Sequence, residues 1–78
     1  MLRKTPPRDD LATHVGYLRR YAVRKVGDPD VAADLVQDTL VSAMRAQSGF
    51  RGGSSLRTWL VAILKHKILD EFRRRIHA

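Results

Sequence analysis

The chain contains no cysteine, which excludes a disulfide framework and a thiolate metal site. No apolar run approaches the roughly 20 residues of a membrane-spanning helix, so a cytoplasmic protein without a membrane partner is expected. No segment alternates apolar and polar residues for long enough to suggest a strand. The sequence also lacks a phosphate-binding glycine motif, a paired acidic motif with a histidine, and a nucleophile beside a base. The expectation is therefore a protein that is not an enzyme. His66 has no partner at metal-ligand spacing, and His77 lies too far along the same helical pattern, so neither metal nor cofactor is expected. Acidic residues are scarce: 8 against 15 lysines and arginines, for a net charge of +7 on 78 residues. A balance this basic points to a polyanionic partner, either nucleic acid or an anionic surface.

What is present reads as helix. Residues 1–10, with three basic residues and a Pro-Pro pair, form an expected flexible tail, and 11–78 an expected single domain. Asp9 or Asp10 suits the cap of a first helix, in which Leu11, Val15, Leu18, Ala22 and Val26 recur on one face. Arg19, Arg20, Arg24 and Lys25 crowd its second half, and Gly27 suits its C-terminal end. Asp28-Pro29 is a restart signal: the carboxylate can cap, and proline lacks an N–H that would be unpaired in the first turn anyway. The second helix should run to about Ala46, burying Ala32, Leu35, Val36, Thr39, Leu40, Ala43 and Met44. A loop rich in glycine and serine comes next over 47–55, with Ser54 or Ser55 as the next cap. Leu56, Trp59, Leu60, Ile63, Leu64, Ile68, Leu69, Phe72 and Ile76 then recur to the chain end, predicting a long third helix whose apolar side is fully used by the core. The fold class is all-α: a compact three-helix domain with a Gly/Ser loop before the long C-terminal helix.

Three features can carry function. Asp34, Gln37, Asp38 and Val41 share one face of the second helix; on spacing alone they read as its ordinary solvent side, with docking of a basic partner as the sharper alternative. In the loop, Phe50 and Arg51 sit among glycines and serines that can approach a phosphate or base edge. Phe50 can equally fold back onto the core. On the third helix Arg57, Lys65, His66, Lys67 and the run Arg73-Arg74-Arg75 form a basic side able to lie along a phosphate backbone, while Trp59 reads as core.

The order of these features resembles a known family. Asp34-Leu35-Val36-Gln37-Asp38-Thr39-Leu40 is similar to the acidic motif of extracytoplasmic-function sigma factors, in region 2 of the sigma-70 family. Ser48-Gly49-Phe50-Arg51-Gly52 and Leu56-Arg57-Thr58-Trp59-Leu60 resemble the loop and helix start of that region, and Ile68-Leu69-Asp70-Glu71-Phe72-Arg73-Arg74-Arg75 resembles its end. The likeness therefore runs from Leu11 to Arg75. The resemblance implies a transcription initiation factor domain that binds the β′ clamp helices of core RNA polymerase through Asp34, Leu35, Gln37, Asp38 and Val41. It implies recognition and melting of the promoter −10 element by capture of a flipped non-template base. The residues for that role are Phe50, Arg51, Gly52, Gly53, Ser54, Ser55, Arg57 and Thr58, with Lys65, His66 and Arg73 along the helix. An anti-sigma factor is a further implied partner, and the family's region 4 domain is absent from this chain. The pattern departs at Ala62, where the family often has arginine, and at His66, where it often has asparagine. The competing reading is a stand-alone helix-turn-helix repressor, against which the nine-residue loop counts. A membrane-surface or protein-interaction helix is a third reading, disfavoured by the acidic second helix.

Overall fold

The computed structural model describes residues 8–46, 50 and 55–77, with side chains from Leu11 onward. Four helices occur in order: α1 (Arg8–Thr13), α2 (Val15–Val26), α3 (Pro29–Arg45) and α4 (Leu56–His77). The described residues contain no strand. The all-α expectation is met, but the expected first helix is two segments. His14 has φ −97° and ψ 0°, and its N–H donates to the carbonyl of Leu11, three residues back, at 3.1 Å. That tighter closure interrupts the α-helical ladder. Thr13 and Gly16, both poor helix formers, flank the break. Helix α1 begins at Arg8, inside the stretch expected as tail; residues 1–7 lie outside the described residues.

The joint between α2 and α3 is built as its residues dictate. Gly27 ends α2 at φ 78°, a left-handed conformation that costs a residue with a Cβ, and its N–H donates to Val23 O at 2.8 Å. Asp28 then accepts hydrogen bonds from the N–H groups of Asp30 (2.9 Å) and Val31 (3.3 Å). Pro29 occupies the first helical position. At α4 the cap is Ser55, whose Oγ accepts from Thr58 N–H at 3.1 Å.

Helices α2, α3 and α4 close on one core of Leu11, Leu18, Ala22, Ala32, Leu35, Val36, Ala43, Leu60, Leu64 and Ile68. Thr39 is fully buried within it, its hydroxyl donating to Leu35 O at 2.8 Å, so no polar atom is stranded there. Two expectations about the core fail. Met44 is 37% exposed. The apolar side of α4 is not fully used: Leu69, Phe72 and Ile76 are 46%, 37% and 78% exposed. At 3.6 residues per turn Leu69 and Ile76 fall on the side of α4 away from Leu60, Leu64 and Ile68, and Phe72 falls at the margin. Spacing that links each apolar residue to the next had merged two different faces into one.

Leu64→Ala should therefore cost about 2–5 kcal/mol in a urea melt, whereas Met44→Ala should stay within about 0.5 kcal/mol of the parent.

Candidate functional site

Two surfaces of opposite charge emerge. On α3, Asp34, Gln37 and Asp38 are exposed and Val41 is half-buried, so the predicted face exists as a surface. Leu35 is mostly buried, at 7% exposure, and counts in the core, while its remaining surface lines the groove beside Asp34, Gln37 and Asp38. Among the described residues, ion pairs join Asp70 to Arg73 at 3.8 Å and Glu71 to Arg74 and Arg75. None of them involves Asp34 or Asp38, whose carboxylates stay open to a basic partner.

Glu71 was not singled out in the sequence, yet it is the one charged side chain in the described interior, 9% exposed. Its position is three residues after Ile68 and seven after Leu64, which puts a carboxylate on the buried face of α4. Arginines three and four residues later were the available signal that this acid is paired. Arg74 donates to Oε1, and Arg75 Nε donates to Oε2 at 3.1 Å. The Arg74 hydrogen bond does most to hold the Glu71 carboxyl below its usual range. Burial works against it, while the Arg75 hydrogen bond and the two positive charges reinforce it. Arg74 is in turn held more firmly protonated by Glu71, with a smaller contribution from Asp38 across on α3. A groove of about 320 Å³ runs between these helices, walled by Asp34, Gln37 and Asp38 on one side and Glu71 and Arg74 on the other.

The second surface is basic and lies on the other sides of α4 and α2. Phe50 is half-buried, and its ring centroid is 5.1 Å from that of Trp59 at 45°. It folds back, as one of the two sequence readings allowed, and Trp59 is partly buried against the core. Arg51, Gly52, Gly53 and Ser54 lie outside the described residues. Ser55 and Thr58 are exposed but bonded to each other: besides the cap, Ser55 Oγ donates to Thr58 Oγ1 at 2.8 Å. Arg57 lies over the ring of Tyr17, 4.4 Å from its centroid, and its Nε makes a long 3.5 Å contact to His14 Nδ1. Sequence reading missed both partners, because a contact across 43 positions leaves no trace in local spacing. A shallow groove of about 260 Å³ lies alongside, lined by Tyr17, Arg57, Thr58, Val61, Ala62 and Lys65. Lys65, His66 and Arg73 are exposed further along α4. The described residues hold no cluster fit for a metal ion and no helix long and apolar enough to cross a membrane.

A family profile described as Sigma-70 region 2 matches residues 11–76. The chain is similar to the ECF RNA polymerase sigma factor EcfG of Rhodopseudomonas palustris, 40% identical over 87% of this chain and 38% of that protein. It is 43% identical to RNA polymerase sigma factor YlaC of Bacillus subtilis over 69% of this chain and 31% of that one. It is also 43% identical to the ECF RNA polymerase sigma factor SigG of Mycobacterium tuberculosis, over 87% of this chain and 20% of that protein. The chain thus spans between a fifth and two fifths of the length of these relatives. No significant match exists among solved structures.

The Glu71 pairing sets a pH dependence. A carboxyl whose folded pKa lies below its ordinary 4.5 stabilises the fold above that value and loses its contribution as pH falls through the folded pKa. Glu71→Gln should be less stable than the parent at pH 7, and the gap should close in acid, as read from urea midpoints between pH 7 and pH 3 (roughly the carboxylate titration range).

Proposed function

The chain belongs to the sigma-70 region 2 family, and on that premise we propose that it is the part of an ECF RNA polymerase sigma factor that joins core RNA polymerase to promoter DNA. The observation that carries this reading is the division of charge. Helix α3 with its cap holds Asp28, Asp30, Asp34 and Asp38 against a single Arg45, in a chain whose net charge is +7. A duplex or single strand of DNA is repelled by the α3 face and attracted to the others. One molecule is thereby able to hold a protein on one side and a polyanion on the other.

In this reading Asp34, Gln37 and Asp38, with Val41 as an apolar neighbour, dock on the β′ clamp helices of the polymerase. The segment from Phe50 through Arg51, Gly52, Gly53 and Ser54 to Ser55, with Arg57 and Thr58 at the start of α4, engages the non-template strand of the −10 element. A base lifted out of its stack loses stacking energy, and a protein pocket that receives it offsets that loss and keeps the strands apart. Lys65, His66 and Arg73 extend the contact along the backbone. Arg57 is already oriented by Tyr17, so less freedom is lost when it meets DNA. With Ala62 and His66 where the family often has arginine and asparagine, the promoter preference is this chain's own. The protein acts in the cytoplasm, does no covalent chemistry, and is held in check by an anti-sigma factor.

Binding of purified core RNA polymerase to this chain should be lost in an Asp34→Arg, Asp38→Arg double variant that keeps the parent's circular dichroism. A folded native chain that shows no binding at tens of micromolar, roughly 6 kcal/mol of affinity, would refute the reading and turn attention to duplex DNA as the target of a repressor. Lys65→Ala should weaken binding to single-stranded promoter DNA and reduce the slope of log K against log salt by about 0.7.

A further inference from the structure

The groove between α3 and the end of α4 holds an arginine beside the acidic face. Arg74 and Arg75 both bond Glu71, but they are not equivalent. Arg74 lines the groove with Asp34, Gln37 and Asp38, whereas Arg75 does not. The Glu71 side chain is 11% exposed and that of Arg74 is 78% exposed. A buried acid therefore anchors one edge of the guanidinium and leaves the rest facing solvent at the mouth of the groove. Deprived of Glu71, a long arginine side chain samples many rotamers; with it, the charge is fixed next to the two aspartates.

We propose that the docking face is bipolar: Arg74, positioned by Glu71, supplies a cationic end beside the anionic Asp34 and Asp38. The partner it fits is a helix surface that carries a basic side chain for the aspartates and, about one turn away, a carboxylate for Arg74. This rests on the reading that the α3 face meets RNA polymerase, and it adds the second helix and the second charge. A purely basic surface, which would suit Asp34 and Asp38 alone, is repelled by Arg74. A helix with its charges in the opposite order mismatches both ends. The arrangement thereby fixes the direction in which a partner helix lies across α3, which an acidic patch by itself does not.

The pair of arginines provides the control. Affinity for core RNA polymerase is measured for Arg74→Gln, which keeps a hydrogen-bond donor toward Glu71, and for Arg75→Ala, which also loses one Glu71 contact but lies outside the groove. Both are checked by circular dichroism and urea melts. Arg74→Gln should bind about tenfold more weakly, the loss of one charge-assisted contact, and Arg74→Lys should recover part of that. Arg75→Ala should stay within about twofold of the parent (well under 1 kcal/mol) whatever its stability. Equal affinities for Arg74→Gln and the parent, with the Asp34→Arg, Asp38→Arg variant inactive, would overturn the bipolar face and leave the α3 docking reading in place. If the aspartate variant also binds like the parent, both fall together.

Discussion

Leu18 on α2 and Leu60 and Leu64 on α4 are fully buried against α3, and the small residues Ala22, Ala32 and Ala43 let the helices close around them. A domain of 78 residues has little interior to divide, so almost every other side chain depends on how this one contact turns its helix. Helix α3 must turn Val36, Thr39 and Ala43 inward, which leaves Asp34, Gln37 and Asp38 outward. Helix α4 must turn Leu60, Leu64 and Ile68 inward, which sends Lys65, His66 and Arg73 to the far side. The separation of acidic and basic surfaces is thus a by-product of packing three helices on one small core.

Much of the fold was legible in the sequence because its signals are local. Gly27, Asp28 and Pro29 announce a helix end and a helix start by backbone chemistry alone, and Ser55 does the same for α4. What escaped was nonlocal or too regular. The break at His14 rests on one shifted backbone hydrogen bond that no residue type demands. Leu69, Phe72 and Ile76 continue the three- and four-residue rhythm of α4 after it has wandered off the buried face.

The candidate site was legible to a similar degree. The acidic face came out of spacing, but spacing alone did not distinguish it from any solvated helix side. The placement of Glu71 beneath Arg74 and the stacking of Arg57 on Tyr17 needed coordinates, since each joins groups through geometry rather than through sequence rhythm. Charges written close together, as in Arg73-Arg74-Arg75, are separated in space by the 3.6-residue turn, so Arg73 pairs with exposed Asp70 while Arg74 and Arg75 reach the two oxygens of buried Glu71.

Trp59 is the only tryptophan in the chain, and its ring lies against that of Phe50, a residue of the glycine-serine segment before α4. Its emission therefore reports from one known place. Any event that lifts Phe50 off the indole changes the polarity around a single fluorophore while leaving the helical signal untouched. The molecule carries a built-in optical marker for the contact between Phe50 and Trp59, readable without a label.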